Sequence, residues 1–229
     1  MYGKLFLAVL LCLVVLGPAA VADVVCATDT LANYELLGPG GCTVKGLPFM
    51  GFSFSTVAVS GGAVPVGVSQ VTVSPVDPEV QAGLNFASNG FSVTAGQFAQ
   101  YQLAFSADDP PIIHGWALQL FDPVIAPALI TITSEECLGA AFTGSVCPTG
   151  LTVTNTVFDN GITSVLADTQ FFPASRIVGE LTTITLDATK GGSASFTSFT
   201  ELATVVPEPS TVLLTASSLL LLFLVRRLR

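Results

Sequence analysis

The stretch Ala99-Gln100-Tyr101-Gln102-Leu103-Ala104-Phe105 decides the fold class. Ala99, Tyr101, Leu103 and Phe105 alternate with polar or small residues, the period of two that puts one face of a strand in a core and the other in solvent. The same alternation returns in Leu151-Thr152-Val153-Thr154-Asn155-Thr156-Val157, where Leu151, Val153, Asn155 and Val157 share a face opposite three threonines. Valine, phenylalanine and threonine fit a pleated, half-buried surface well.

Outward from these two runs, further strands are expected at Phe49–Ser60, Val66–Val73, Leu84–Ala87, Phe91–Thr94, His114–Phe121, Ala128–Thr133, Ile177–Asp187 and Ser193–Phe199. Breakers separate them: Gly61-Gly62, Pro75 to Pro78, Asn89-Gly90, Asp108 to Pro111, Asn160-Gly161 and Lys190 to Gly192. Short strands with this punctuation predict an all-β, antiparallel two-sheet sandwich of jelly-roll type. A short helix is expected over Asp29–Leu37, capped by Asp29 and stopped by Gly38-Pro39-Gly40-Gly41, with Leu31 and Tyr34 on one face.

The chain has 229 residues, of which 51% are hydrophobic and only 10% charged. That balance fits a β-rich exported domain with apolar ends better than a cytosolic protein. All sixteen acidic residues fall between Asp23 and Glu208, against only Lys45, Arg176 and Lys190, a net charge of −13 for that segment. Such a body repels nucleic acid phosphates, which are held by Lys and Arg, so nucleic acid is not an expected partner. The charge serves solubility by self-repulsion.

The ends carry transport signals. Residues 1–22 read as a signal peptide: Lys4 is the positive head, Leu5–Leu16 the apolar run, Gly17-Pro18 its break, and Ala20-Val21-Ala22 the small-x-small cleavage site. The run is short for a span of about 30 Å of hydrocarbon. Cleavage after Ala22 removes Cys12, and secretion machinery is the implied partner. At the other end, a linker over 201–211 contains Pro207-Glu208-Pro209-Ser210-Thr211, whose prolines exclude regular helix or central strand. The uncharged apolar run 212–225 follows as a marginal transmembrane helix, and residues 226–229 hold Arg226, Arg227 and Arg229 on the cytoplasmic side. The sandwich is expected between them, over 23–200.

Read in order, Val206 through Thr211 (VPEPST), the apolar run and the three arginines resemble the PEP-CTERM sorting signal. The resemblance covers about the last twenty-five residues. It implies an exported protein held briefly by its tail and processed near the Pro-Glu-Pro motif by an exosortase-type membrane protease, in a bacterium that also makes exopolysaccharide. It implies trafficking and not an activity. The segment from Thr30 to Phe54, the later Cys137 and Cys147, and the turn at Lys190-Gly191-Gly192 are similar to a module found in many proteins bearing that tail.

Four cysteines remain after signal removal, Cys26, Cys42, Cys137 and Cys147. An even number in an exported chain points to disulfides, and four cysteines allow three pairings, of which the local pairs Cys26–Cys42 and Cys137–Cys147 are preferred. Spacings of sixteen and ten do not supply the tight pairs of a zinc site, and no metal or cofactor is expected.

Catalytic patterns are sparse. His114 is the only histidine, on an expected strand face shared with Trp116, Leu118 and Leu120, so a Ser-His-Asp relay or a three-ligand zinc site lacks imidazole. Asp108-Asp109 and Glu135-Glu136 are adjacent carboxylates, but strand neighbours point to opposite faces. No enzyme is expected. The loop carboxylates lack the ordered Asp-x-Asp-x-Asp-Gly calcium pattern. The expected function is a structural or interaction role in the envelope or exopolysaccharide matrix. The alternative is a carbohydrate-binding module with Trp116, Tyr101 or Tyr34 as its exposed aromatic platform. A secreted glycoside hydrolase ranks third and requires two carboxylates facing each other across an open cleft.

Overall fold

In the computed structural model, residues 24–78, 81–108 and 112–206 are described. The signal-cleavage residues Ala20 and Ala22, the sorting motif Pro207–Thr211, the apolar run 212–225 and Arg226, Arg227 and Arg229 lie outside the described residues. Among the described residues, no helix is long and apolar enough to cross a membrane.

The chain opens with β1 (Asp29–Thr30), α1 (Leu31–Glu35), β2 (Cys42–Val44) and β3 (Leu47–Ser60). It continues through β4 (Thr72–Val76), β5 (Gln81–Ala87), β6 (Ser92–Thr94), β7 (Phe98–Ala107) and β8 (Ile112–Phe121). Then come β9 (Val124–Ala126), β10 (Leu129–Leu138), β11 (Thr152–Asp159) and β12 (Ser164–Val165). The last strands are β13 (Ala167–Ser175), β14 (Val178–Asp187), β15 (Ser193–Ser195) and β16 (Ser198–Val206).

Two antiparallel sheets face each other, in the orders β1-β4-β5-β16-β8-β13 and β12-β11-β10-β14-β7-β3-β2. Within them, β5-β16-β8-β13 opposes β7-β14-β10-β11, and apart from the β10–β11 hairpin the chain crosses from one quartet to the other at each successive strand, in the jelly-roll manner. A small sheet β6-β15-β9 closes one end. The all-β antiparallel sandwich expected from sequence is therefore present.

Alternation builds the core. Ala99, Tyr101, Leu103 and Phe105 of β7 are all buried and belong to one continuous apolar cluster. Phe105 sits at its centre, with ring centroids 6.1 Å from Phe49, 5.5 Å from Phe52, 5.8 Å from Phe86 and 6.1 Å from Trp116. Each such side chain contributes about 1.5–3 kcal/mol by leaving water.

Several elements differ from expectation for identifiable reasons. The helix is shorter, and Thr30 rather than Asp29 caps it, with Thr30 Oγ1 accepting the Asn33 N–H at 3.4 Å. The Asp29 carboxylate is occupied by the Asn33 side-chain amide, which donates to it at 2.7 Å. Leu31 and Tyr34 do share the buried face. The segment expected as a strand over Val66–Val73 instead holds a 3-10 turn at Val68–Gln70, and β4 runs through Pro75. Proline is tolerated there because β1 pairs with β4 only at Thr72 and Val73, leaving the far side of Pro75 without a ladder partner. β13 was not expected, since Pro173 and its polar residues mask it; it is an edge strand with an irregularity between Phe171 and Ser175. β16 continues to Val206, beyond residue 200 where the sandwich was expected to end, and lies between β5 and β8.

Candidate functional site

Both local disulfides form: Cys26–Cys42 with Cα atoms 4.9 Å apart, and Cys137–Cys147 at 5.4 Å. The first ties the segment before α1 to β2 at the sheet edge, where the backbone N–H of Cys26 also donates to Thr43 O at 2.9 Å. Disulfides persist in oxidising compartments, so they place this chain with exported proteins.

The three aromatic residues expected as a sugar platform are core residues. Trp116 and Tyr101 are 0% exposed and Tyr34 only 3%. Each satisfies its polar tip inside the protein. Tyr34 donates to Ala27 O at 2.8 Å, Tyr101 Oη accepts the Val66 N–H at 3.2 Å, and Trp116 Nε1 donates to Glu201 Oε2 at 2.7 Å. These three rings form no exposed platform: Tyr101 on β7 and Trp116 on β8 point inward, and Tyr34 lies on the buried face of α1.

His114 also departs from expectation. β16 residues Thr204 and Val205 pair with Gly115 and Ile113, so His114 is an extra residue at a bulge. Ile113 and Trp116 point inward while His114 turns out of phase and stacks on Phe171 of β13, centroids 6.0 Å apart and planes 20° apart. Phe171 is 69% exposed. Its ring lies over Gly115, where an added Cβ would sit 2.8 Å from a ring carbon. On the same face, Thr204 pairs with Gly115, while Gln119, Asn85 and the buried Thr200 lie farther along, with Thr200 Oγ1 donating to Asn85 Oδ1 at 3.0 Å.

The most unusual group lies inside. Glu136 (β10), Glu180 (β14) and Glu201 (β16) are each 0% exposed. β10 and β14 pair Glu136 directly opposite Glu180 and Ser134 opposite Thr182, and β11 sets Asn155 beside Ser134. Glu201 reaches in from the facing sheet. Ser134 Oγ is the hub: it lies 2.9 Å from Glu136 Oε1 and 3.3 Å from Glu201 Oε2, and is also hydrogen-bonded to Glu180 Oε1. Thr182 Oγ1 lies 3.0 Å from Glu201 Oε1 and 3.3 Å from Glu180 Oε1. Asn155 Nδ2 donates to Glu136 Oε1 at 2.7 Å.

Burial pushes all three carboxyls up. Glu136 rises to about 7 and Glu201 to about 8, held back by N–H donors from Asn155 and Trp116 respectively. Glu180 rises well above the ordinary carboxyl range, from burial first and then from Glu201 and Glu136 beside it. Asp168 of β13 adds a repulsive field at Glu136, while its own Oδ2 accepts the Thr156 N–H at 2.9 Å and ties β13 to β11.

Of the adjacent pairs weighed from sequence, Glu135 and Glu136 do point to opposite faces, and Glu136 is the inward member. Glu180 and Glu201 were not singled out. The signal was in the alternation itself: Ile130-Ile132-Ser134-Glu136 and Val178-Glu180-Thr182-Ile184-Leu186 put carboxyls in phase with buried aliphatics. The cluster is enclosed, with no exposed carboxyl for a substrate to reach, so it lacks the open cleft of a glycosidase. Among the described residues, no group of three His, Cys, Asp or Glu is arranged to hold a metal ion.

No protein-family model matches the chain, and no curated protein matches it. Among solved structures, it is similar to TmCBM61, a structure solved in complex with β-1,4-galactotriose. That similarity has 10% identity and a TM-score of 0.32, covering 66% of this chain and 86% of the other. A second similarity is to the enzymatically active domain of bacteriophage CBA120 tailspike protein 4, at 13% identity and a TM-score of 0.30. It covers 68% of this chain but only 19% of the tailspike domain.

Proposed function

We propose that the chain is an exported envelope or matrix protein whose jelly roll stands outside the membrane and is carried there by a PEP-CTERM tail. One structural observation carries this reading. β16, a central strand, runs through Val206, the last described residue, so the core of the sandwich reaches to the residue before the motif beginning at Pro207. Cutting within the motif would leave every described strand of the sandwich whole, whereas a cut a few residues earlier would truncate a core strand. The two disulfides support the same reading, since they suit a domain that matures outside the cytosol. The test is expression in an exopolysaccharide-producing host with and without its exosortase-type protease. The reading expects a shortened body released or surface-bound in the first strain, and a full-length, membrane-held chain in the second.

A second reading, binding of the producer's polysaccharide, is supported by the exposed Phe171 ring stacked on His114, with the hydroxyl-bearing Thr204 paired to Gly115 beneath it. An aromatic face with uncharged hydrogen-bonding neighbours suits a hydroxylated sugar ring. Affinity electrophoresis in gels containing that polysaccharide tests it. Retardation that Phe171→Ala abolishes supports it, and equal mobility in plain and polysaccharide gels removes it.

A further inference from the structure

Three carboxyl groups buried together need neutralising, because an isolated buried carboxylate is far costlier than its acid. Hydrogen counting shows how this is done. Ser134 has one hydroxyl hydrogen but touches an oxygen of Glu136, Glu180 and Glu201. It can donate to only one of them. The other two contacts become hydrogen bonds only if those carboxyls carry hydrogens and donate to the serine oxygen, which has two lone pairs to receive them. Thr182 repeats the problem, with one hydrogen set between Glu180 and Glu201.

An independent observation points the same way. The buried atoms Glu136 Oε2, Glu180 Oε2 and Asn155 Oδ1 have no hydrogen-bond partner, and all three are oxygen acceptors when the carboxyls are ionised. What is missing is hydrogen. Protonation removes the charge that these acceptors would otherwise leave buried without a donor. Trp116 and Asn155 aim N–H groups at Glu201 and Glu136, and among the described residues no group of three ligating side chains is arranged to hold a metal ion.

We propose that Glu136, Glu180, Glu201, Ser134 and Thr182 form a proton lock in the core: the folded sandwich holds at least two protons that the unfolded chain gives up at neutral pH. The folded protein is thereby tied to the acidity of its surroundings. The ionisable groups acting on the lock are these three carboxyls and Asp168 of β13. The strand neighbours on the remaining sides are neutral: Phe105 and Leu103 of β7 pair with Glu180 and Thr182, and Leu84 of β5 and Leu118 of β8 pair with Glu201. A cross-strand pair of carboxylates, as at Glu136 and Glu180, is destabilising when both are charged.

The sign follows from proton counting. The unfolded carboxyls ionise near 4.3, so above that value the folded state binds more protons and stability falls as pH rises. It is present in full in acid and lost as pH climbs through the folded values of about 7 and about 8 for Glu136 and Glu201. Asp29 and Asp187 shift downward and act only in stronger acid.

The experiment is urea unfolding of the full chain, exported and purified in mild detergent, as a function of pH. With two protons held, the folding constant drops at least about 100-fold per pH unit between roughly pH 5.5 and 6.5. Glu180→Gln, which keeps the shape and supplies its own N–H, lowers that slope about tenfold per pH unit and makes the variant more stable than the parent at pH 8. Infrared spectroscopy of the unmutated protein at pH 7 should show a protonated-carboxyl carbonyl band that vanishes on unfolding, an observation independent of whether the variant folds. A pH-independent folding constant with no such band overturns the lock. So does a stoichiometric bound metal whose removal by chelator unfolds the protein, since a cation would then be the neutralising charge.

Discussion

Replacing Trp116 with Phe removes one hydrogen bond and part of one ring, and the two losses separate by pH. The indole is 0% exposed and its N–H donates to Glu201 Oε2 at 2.7 Å. Phenyl fills less of the space beside Phe105, which costs on the order of 1–2 kcal/mol at any pH. The lost N–H costs about 0.5–1.5 kcal/mol when Glu201 is a neutral acid and about 1.5–3 kcal/mol when it is a carboxylate. The N–H therefore holds Glu201 down against its burial, and its removal pushes the group still higher than about 8. Trp116→Phe should accordingly lose roughly 1 kcal/mol more at pH 9 than at pH 5. Urea midpoints by far-UV circular dichroism measure this, since the chain's single tryptophan is gone and fluorescence is uninformative. Equal losses at the two pH values would refute the view that the indole faces a carboxyl that ionises in the folded state.

Other outcomes follow from single contacts. Breaking Cys26–Cys42, which closes a separation of sixteen, should cost about 3 kcal/mol by chain entropy, and Cys137–Cys147, at ten, slightly less; urea midpoints of the Cys-to-Ser pairs give both values. Gly83→Ala would put a Cβ 2.0 Å from the Glu201 carbonyl oxygen between β5 and β16, so a loss on the order of 2–4 kcal/mol is expected in thermal melts. His114→Ala should leave stability within about 0.5 kcal/mol, since the ring stacks only on exposed Phe171, and should weaken any polysaccharide retardation as Phe171→Ala does.

The sandwich was legible because its strands bury one face, which writes a period of two into residues 99–105 and 151–157. The disulfide pairs were legible from spacing and parity. What escaped had local reasons. β13 hides behind Pro173 and an irregular edge, and β4 keeps Pro75 because β1 does not reach it, leaving one side of the strand unpaired there. His114 was expected on the face of Trp116, and a single bulge residue reversed it, a change no periodicity announces. The buried carboxyls are a different case. Glu136, Glu180 and Glu201 stand in phase with buried aliphatics, but charge argues for the surface, and only the cross-sheet meeting with Ser134 and Trp116 shows how the core accommodates them. The aromatic platform failed for the converse reason: tryptophan and tyrosine suit both sugar faces and cores, and here each finds its hydrogen-bond partner inside.

Export and tail processing are tested most directly by the intact mass of the protein recovered from cells and medium of an exopolysaccharide-producing host. The mature species should start at Asp23, end between Pro207 and Ser210, and be four hydrogens light for its two disulfides. A mature species that retains Arg229 would contradict it and leave a plainly membrane-anchored protein in its place.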